Sequence, residues 1–248
     1  MTPTLAQRLA MRELPALPFV MHQCWEQLLF LHWSFDPTLI QASMPPGLTV
    51  HVFDGKAWVA IVPFLMRKIR PRFSPAVPGV SNFLETNLRT YVYDEQGRPG
   101  VWFYSLECNQ PLAVWVARTG FYLPYQHASM TAVQGPDQRM IYTSQRRGDA
   151  QVSRFEYQLR SRVGEAEPGS LEFFLAERYA LFSKTPRGLR LGRVHHRPYP
   201  VAQAEVSSWD TRLFTLNGLP EPGRPPDHIM GSEGVQVRVF PLQTTDLP

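Results

Sequence analysis

Residues Ser81–Ala128 read SNFLETNLRTYVYDEQGRPGVWFYSLECNQPLAVWVARTGFYLPYQHA. Phe83–Tyr93 and Gly100–Cys108 are rich in β-branched and aromatic residues, and the segment Asp94–Pro99 between them has turn composition. The pattern predicts a hairpin. Pro111–Thr119 (PLAVWVART) predicts a short buried helix, with Pro111 at its first position and Gly120 as its stop. Set into these apolar runs are Glu85, Arg89, Glu107 and Arg118. Burying an unpaired charge costs several kcal/mol, so charges in such runs are paired, hydrogen-bonded or turned to a polar cavity. The expectation is a polar pocket walled by apolar strands.

Working outward, the same pattern repeats along the chain. Thr4–Glu13 reads as a short helix capped by Thr4, followed by a Pro-containing extended segment, so residues 1–20 form an N-terminal helix and arm. Residues 21–245 read as a single domain. Cys24–Phe35 is a strand, and Asp36-Pro37 opens a short helix. Asp54-Gly55 is a hairpin signal between Thr49–Phe53 and Lys56–Met66, the latter apolar on both faces and hence central. Met130–Val133, Arg139–Ser144 and Val152–Arg160 form a meander. Ser170 caps an amphipathic helix, and Tyr179–Ser183, Leu189–His196, Val201–Ser208 and Val235–Phe240 complete about eleven strands against four short helices. This is an α+β chain dominated by antiparallel sheet, curled into a barrel or a pair of packed sheets.

Composition narrows the functional classes. The 248 residues are 44% hydrophobic and 19% charged, with 24 prolines, which suits a globular chain of many short elements. The net charge is +4, and arginine supplies 22 of the 25 basic residues. Those bases are scattered, apart from Arg67–Arg72 and Arg146–Arg147, and no nucleic-acid-binding signature accompanies them. Cys24 and Cys108 fit no metal spacing. No apolar run is long enough to span a membrane, and the N-terminus lacks the apolar core of a secretory signal. A cytoplasmic protein with no nucleic-acid or membrane partner is expected.

A series of short segments carries a family likeness. It runs Gln27–Trp33 (QLLFLHW), Pro46-Gly47-Leu48, Phe53-Asp54-Gly55 with Trp58 and Val59, and Ile61–Phe64. It continues with Glu85–Val92 (ETNLRTYV), Gly100–Phe103, Ala117-Arg118, Leu123-Pro124-Tyr125, Glu177-Arg178-Tyr179 and His195-His196. Taken in order from Met21 to Leu242, these resemble the YqjF-like family, a domain of unknown function (2071). That family resembles acetoacetate decarboxylase in fold. The resemblance implies a closed or strongly curled, barrel-like antiparallel sheet around a central cavity. The decarboxylase forms a Schiff base through one lysine activated by a second. In the matching region, Ala113–Gln126, both lysines are missing, and Leu123-Pro124 is followed by Tyr125-Gln126. The chain's three lysines, Lys56, Lys68 and Lys184, lie at a turn, in a basic loop and at a strand end. Schiff-base decarboxylation is therefore not expected.

Each candidate residue has a structural reading beside the functional one. Glu85 and Arg89 share one face of a strand, about 13 Å apart at ~3.3 Å per residue. They line a cavity or a solvated face. Arg118 ends a helix, where a cation suits the C-terminal carbonyls, or else anchors a carboxylate. Tyr91 and Tyr125 donate hydrogen bonds to a ligand or pack. His32, His195 and His196 suit structural hydrogen bonds, and no metal or other cofactor is expected. Glu177 suits an ion pair with a core arginine.

Two functions fit. In the first, a cavity binds or transforms a small organic acid or carbonyl compound, with Glu85 as catalytic acid or base in a lyase- or isomerase-like reaction, and Arg89, Tyr91, Arg118 and Tyr125 as ligand contacts. In the second, the chain is a non-catalytic binding or sensor module for a small hydrophobic ligand, a homodimer through an edge strand.

Overall fold

The hairpin anchors the fold. In the computed structural model, which describes residues 2–245, β4 (Phe83–Asp94) and β5 (Pro99–Cys108) pair antiparallel from Glu85↔Cys108 to Tyr93↔Pro99. The register slips once: Leu88 faces Ser105 and Arg89 faces Phe103, so Tyr104 is an extra, bulged residue. On the other side of β4 runs β3 (Ala57–Pro71), then β1 (Met21–Phe35), then β12 (His228–Val239). These five strands are antiparallel throughout. Bulges at Gln27 and Lys68, both with positive φ (53° and 52°), let β1 and β3 coil around each other.

This five-stranded sheet closes on itself twice. Along one route β9 (Ala180–Thr185) pairs parallel with β5, and β10 (Gly188–His195) bridges β9 to β12, completing a ring of seven strands. Along the other, β6 (Tyr125–Gln134) pairs parallel with β5. The meander of β7 (Met140–Arg146) and β8 (Ser153–Gly164), with β11 (Val201–Ser208), then returns to β12, making nine strands. The shared sheet is thus buried on both faces. That explains the unbroken apolar run of β3, as alternation is unnecessary when neither face meets water. The sheet is ring-like, as the curled-sheet expectation required, and the two parallel pairings are its departure from a purely antiparallel plan.

Each ring has its own core. Phe30, Phe64, Met66, Phe83 and Leu106 lie in the seven-strand ring with Phe173 and Phe174 of α4 (Leu171–Ala176). Leu31, Trp33, Ile61, Leu88, Tyr142 and Phe155 fill the nine-strand ring with Leu213 and Phe214 of α5 (Arg212–Leu216). The N-terminal helix α1 (Leu5–Ala10), capped by Thr4, lies against α4, with the Arg8 guanidinium 4.4 Å from the Phe173 ring centroid.

Two strand expectations needed correction. Thr49–Phe53 and Lys56–Met66 do not form a hairpin ladder. The turn at Asp54-Gly55 closes with a single Phe53↔Lys56 bridge, and β2 (Leu48–Val50) pairs with β4. Both edges of β3 are already taken by β1 and β4. The last long strand begins at His228 rather than Val235. Its first half contains Gly231, where a Cβ would stand 2.3 Å from Leu159 Cδ2, and Gly234, at φ 143° against the Trp25 carbonyl. Glycine there permits close strand approach, although in sequence it reads as a loop.

Candidate functional site

The seven-strand ring encloses a cavity of about 410 Å3. Its walls are mostly apolar, including Trp25, Met66, Phe83, Phe103, Leu106 and Leu181. The helix α3 (Pro111–Gly120) closes one side through Ala113, Val116 and Ala117. Gln110 caps α3 and Pro111 starts it, so a helix follows directly from strand β5 and folds across the ring. Three buried charged groups line this space: Glu85, Arg89 and Arg178.

Glu85 and Arg89 arrive by strand alternation. They share the inward face of β4, while Leu84 and Leu88 turn to the other core. Glu85 is 3% exposed, and its Oε2 accepts a 2.5 Å hydrogen bond from the Tyr125 hydroxyl. Burial pushes its carboxyl up to about 7, with Tyr125 and Asn87 pulling back through hydrogen bonds. Tyr125 stands at the start of β6, where it meets Leu106 across the parallel pairing, and burial beside Glu85 holds its phenol well above the ordinary range. The result is a carboxyl that can both hold and release a proton near neutrality.

Arg89 and Arg178 are buried without carboxylate partners. Among the described residues neither makes a salt bridge. Arg89 reaches only the Leu175 carbonyl, at 3.5 Å, and its Nε has no acceptor. Its guanidinium lies 5.4 Å from the Phe30 ring centroid and 5.7 Å from that of Tyr91. Arg178 follows α4, donating Nε to the Phe174 carbonyl at 2.8 Å and Nη1 to His51 Nδ1 at 3.1 Å, while Nη2 is unsatisfied. Burial, and then Arg8, depress Arg178 far below the usual guanidinium range. His51 is held neutral, at about 2, first by burial and then by Arg178. Arg89 and Arg178 thus keep donors that their surroundings leave unused.

The other expected site residues separate. Tyr91 is fully buried but sits behind the wall. Its hydroxyl hydrogen-bonds His32 Nε2 at 3.0 Å, and its ring lies beside both Arg89 and Arg178. Arg118 is exposed at the end of α3. It donates Nε to the Tyr125 carbonyl at 2.6 Å and Nη2 to Gln126 Oε1 at 3.2 Å, so it straps helix to strand and does not reach the cavity. Glu107 also leaves the expected pocket. The bulge at Tyr104 reverses the strand's parity, so Phe103 and Leu106 face the cavity while Ser105 and Glu107 face the nine-strand core. There Arg146 pairs with Glu107. Glu177 meets Arg12 at 3.1 Å and accepts from Tyr179. His196 is buried and stacked on Tyr179. No three His, Cys, Asp or Glu side chains gather to hold a metal among the described residues.

Sequence reasoning missed Arg178 as a cavity group. The signal was available: LEFFLAERYALF sets a charge pair inside an apolar run, as Glu85 and Arg89 are set. The three lysines are all exposed, and none lines the cavity.

Residues 22–236 match the model of DUF2071, described as an uncharacterized conserved protein. The chain belongs to this family. The uncharacterized protein YqjF of Bacillus subtilis (strain 168) is 34% identical over 209 residues, covering 84% of this chain and 86% of that protein. Among solved structures, acetoacetate decarboxylase from Legionella pneumophila superposes with a TM-score of 0.61 at 12% identity, covering 94% and 91% of the two chains. An acetoacetate decarboxylase-like enzyme from Sphingomonas wittichii RW1 gives 0.60 at 14%, covering 92% and 93%. The enduracididine biosynthesis enzyme MppR, complexed with pyruvate, gives 0.56 at 15%, covering 93% and 90%. The chain's fold is thus that of acetoacetate decarboxylase. No helix among the described residues is long and apolar enough to cross a membrane.

Proposed function

We propose that this chain binds a small organic acid, or a related carbonyl compound, in the seven-strand cavity, and that Glu85 serves it as general acid or base. The observation that carries this reading is that one cavity is lined by a buried carboxyl and by two buried guanidinium groups that have no carboxylate partner among the described residues. A ligand carboxylate supplies the missing anion, bidentate to Arg89 or Arg178. Glu85, on the same inward face of β4 as Arg89, has a raised pKa that suits proton transfer next to a carbonyl. Pyruvate, with which the enduracididine biosynthesis enzyme MppR is complexed, belongs to the same chemical class. With each lysine exposed, the chemistry runs without a Schiff base, as a lyase- or isomerase-like proton transfer.

Thermal-shift screening with organic acids, followed by turnover assays on those that stabilise, tests this. Stabilisation is expected with the wild type and is lost in Arg89→Met. Turnover is lost in Glu85→Gln, and borohydride trapping with a β-keto acid leaves no adduct. A covalent adduct on any lysine, or no stabilisation by any acid, overturns the proposal. The apolar bulk of the wall favours a second reading, a non-catalytic module for a hydrophobic ligand. Stabilisation without turnover that survives Glu85→Gln selects it.

A further inference from the structure

The cavity is graded from a cationic floor to an oily mouth. Arg89 and Arg178 are 8% and 6% exposed. At the other end the lining residues Val77, Val80 and Leu112 are 50%, 37% and 50% exposed, which marks where the cavity opens. The walls between are hydrocarbon and aromatic. By the measure on which about 10–15 Å3 just admits one water, 410 Å3 has room for well over a dozen non-hydrogen atoms, far more than a three-carbon acid fills. A short acid seated on the arginines leaves most of the apolar wall facing water, which is unfavourable. A second anion is poorly served, because the mouth offers it no cation matched to Arg89 and Arg178 except Arg70 at the rim.

We infer that the ligand is an amphipathic monocarboxylate, its head group on Arg89 and Arg178 and an unbranched or lightly functionalised hydrocarbon body of medium length running to the mouth between α3 and the Pro71–Ser81 loop. This rests on the organic-acid reading above and sharpens its substrate class. An unbranched acid of about twelve carbons has about 14 non-hydrogen atoms, which the space admits. Glu85 shares the inward face of β4 with Arg89, so it faces the bound chain along its length, and the tail supplies binding energy from apolar contact.

Isothermal titration of the intact protein with straight-chain saturated carboxylates, from acetate to myristate and below their micellar concentrations, tests the inference. Affinity is expected to rise about two- to fourfold per added methylene and to level off near about twelve carbons. The methyl ester of the best acid binds at least roughly tenfold more weakly, because it cannot form charge-assisted bonds to the arginines. Ala113→Phe, on half-exposed α3, narrows the upper cavity. It weakens the long acids and spares propionate. Equal affinity across the series, with short acids still binding, overturns this inference and leaves the organic-acid reading standing. An alcohol binding as tightly as the acid of the same length overturns it by removing the role of the head group. Absence of binding by every carboxylate removes the organic-acid reading and this one with it.

Discussion

Glu85 and Glu107 lie on paired strands, are both almost fully buried, and both have carboxyls raised first by burial. Their surroundings differ. Glu107 faces the nine-strand core, where it accepts from Ser105 Oγ at 2.9 Å and from the Arg146 guanidinium, beside a gap of about 10 Å3. That gap holds about one water. Glu85 faces a cavity some forty times larger and has Tyr125 rather than a cation in direct contact. Arg89 and Arg178, which line the same cavity, have no carboxylate partner among the described residues. A buried charge therefore marks a binding site only when its partner is missing and there is room for one. The same charge with a partner in a filled core belongs to the architecture.

Three measurements break or sharpen this contrast. The largest effect is expected from Arg146→Met, which strands Glu107 in a closed core and costs about 3–5 kcal/mol in urea unfolding. Arg89→Met, at a cation with no ion pair to break, costs less than about 1 kcal/mol. Equal losses at the two sites would remove the distinction. Next is the pH dependence of stability. Glu85 titrates at about 7 in the folded chain against 4.5 in the unfolded one, so the folded state binds the proton more tightly. The stability it contributes is fully present below about pH 4.5 and is lost as pH rises through 7. At 1.36 kcal/mol per unit that amounts to about 3 kcal/mol. Glu85→Gln abolishes this part of the decline, and an unchanged slope would mean the carboxyl is not desolvated. The smallest effect is at Arg118→Ala. Removing this exposed strap changes stability by about 0.5 kcal/mol or less and leaves organic-acid binding intact. A large loss of binding would return Arg118 to the site.

Local signals carried the hairpin, the cap at Ser170, the α3 boundaries and the shared face of Glu85 and Arg89, because each depends on neighbours within a few residues. Pairing of distant strands did not show. The turn at Asp54-Gly55 is real, with positive φ at both residues, yet the strand after it joins β1 and β4. The parallel pairings of β5 with β6 and β9, which shape the cavity, depend on loop closures over long stretches of chain.

Residue order alone established a sheet-rich chain and buried charges concentrated on β4 and its neighbours, since both follow from side-chain chemistry and two-residue periodicity; the missing lysine pair followed from the family resemblance. Which charges meet was decided by the folded chain. One inserted residue at Tyr104 sent Glu107 away from Glu85, and closure of the seven-strand ring brought Arg178 to Arg89. A single bulge inverts every following side chain, and ring closure depends on pairing free energies spread over the whole sheet. Neither can be read within a window of sequence.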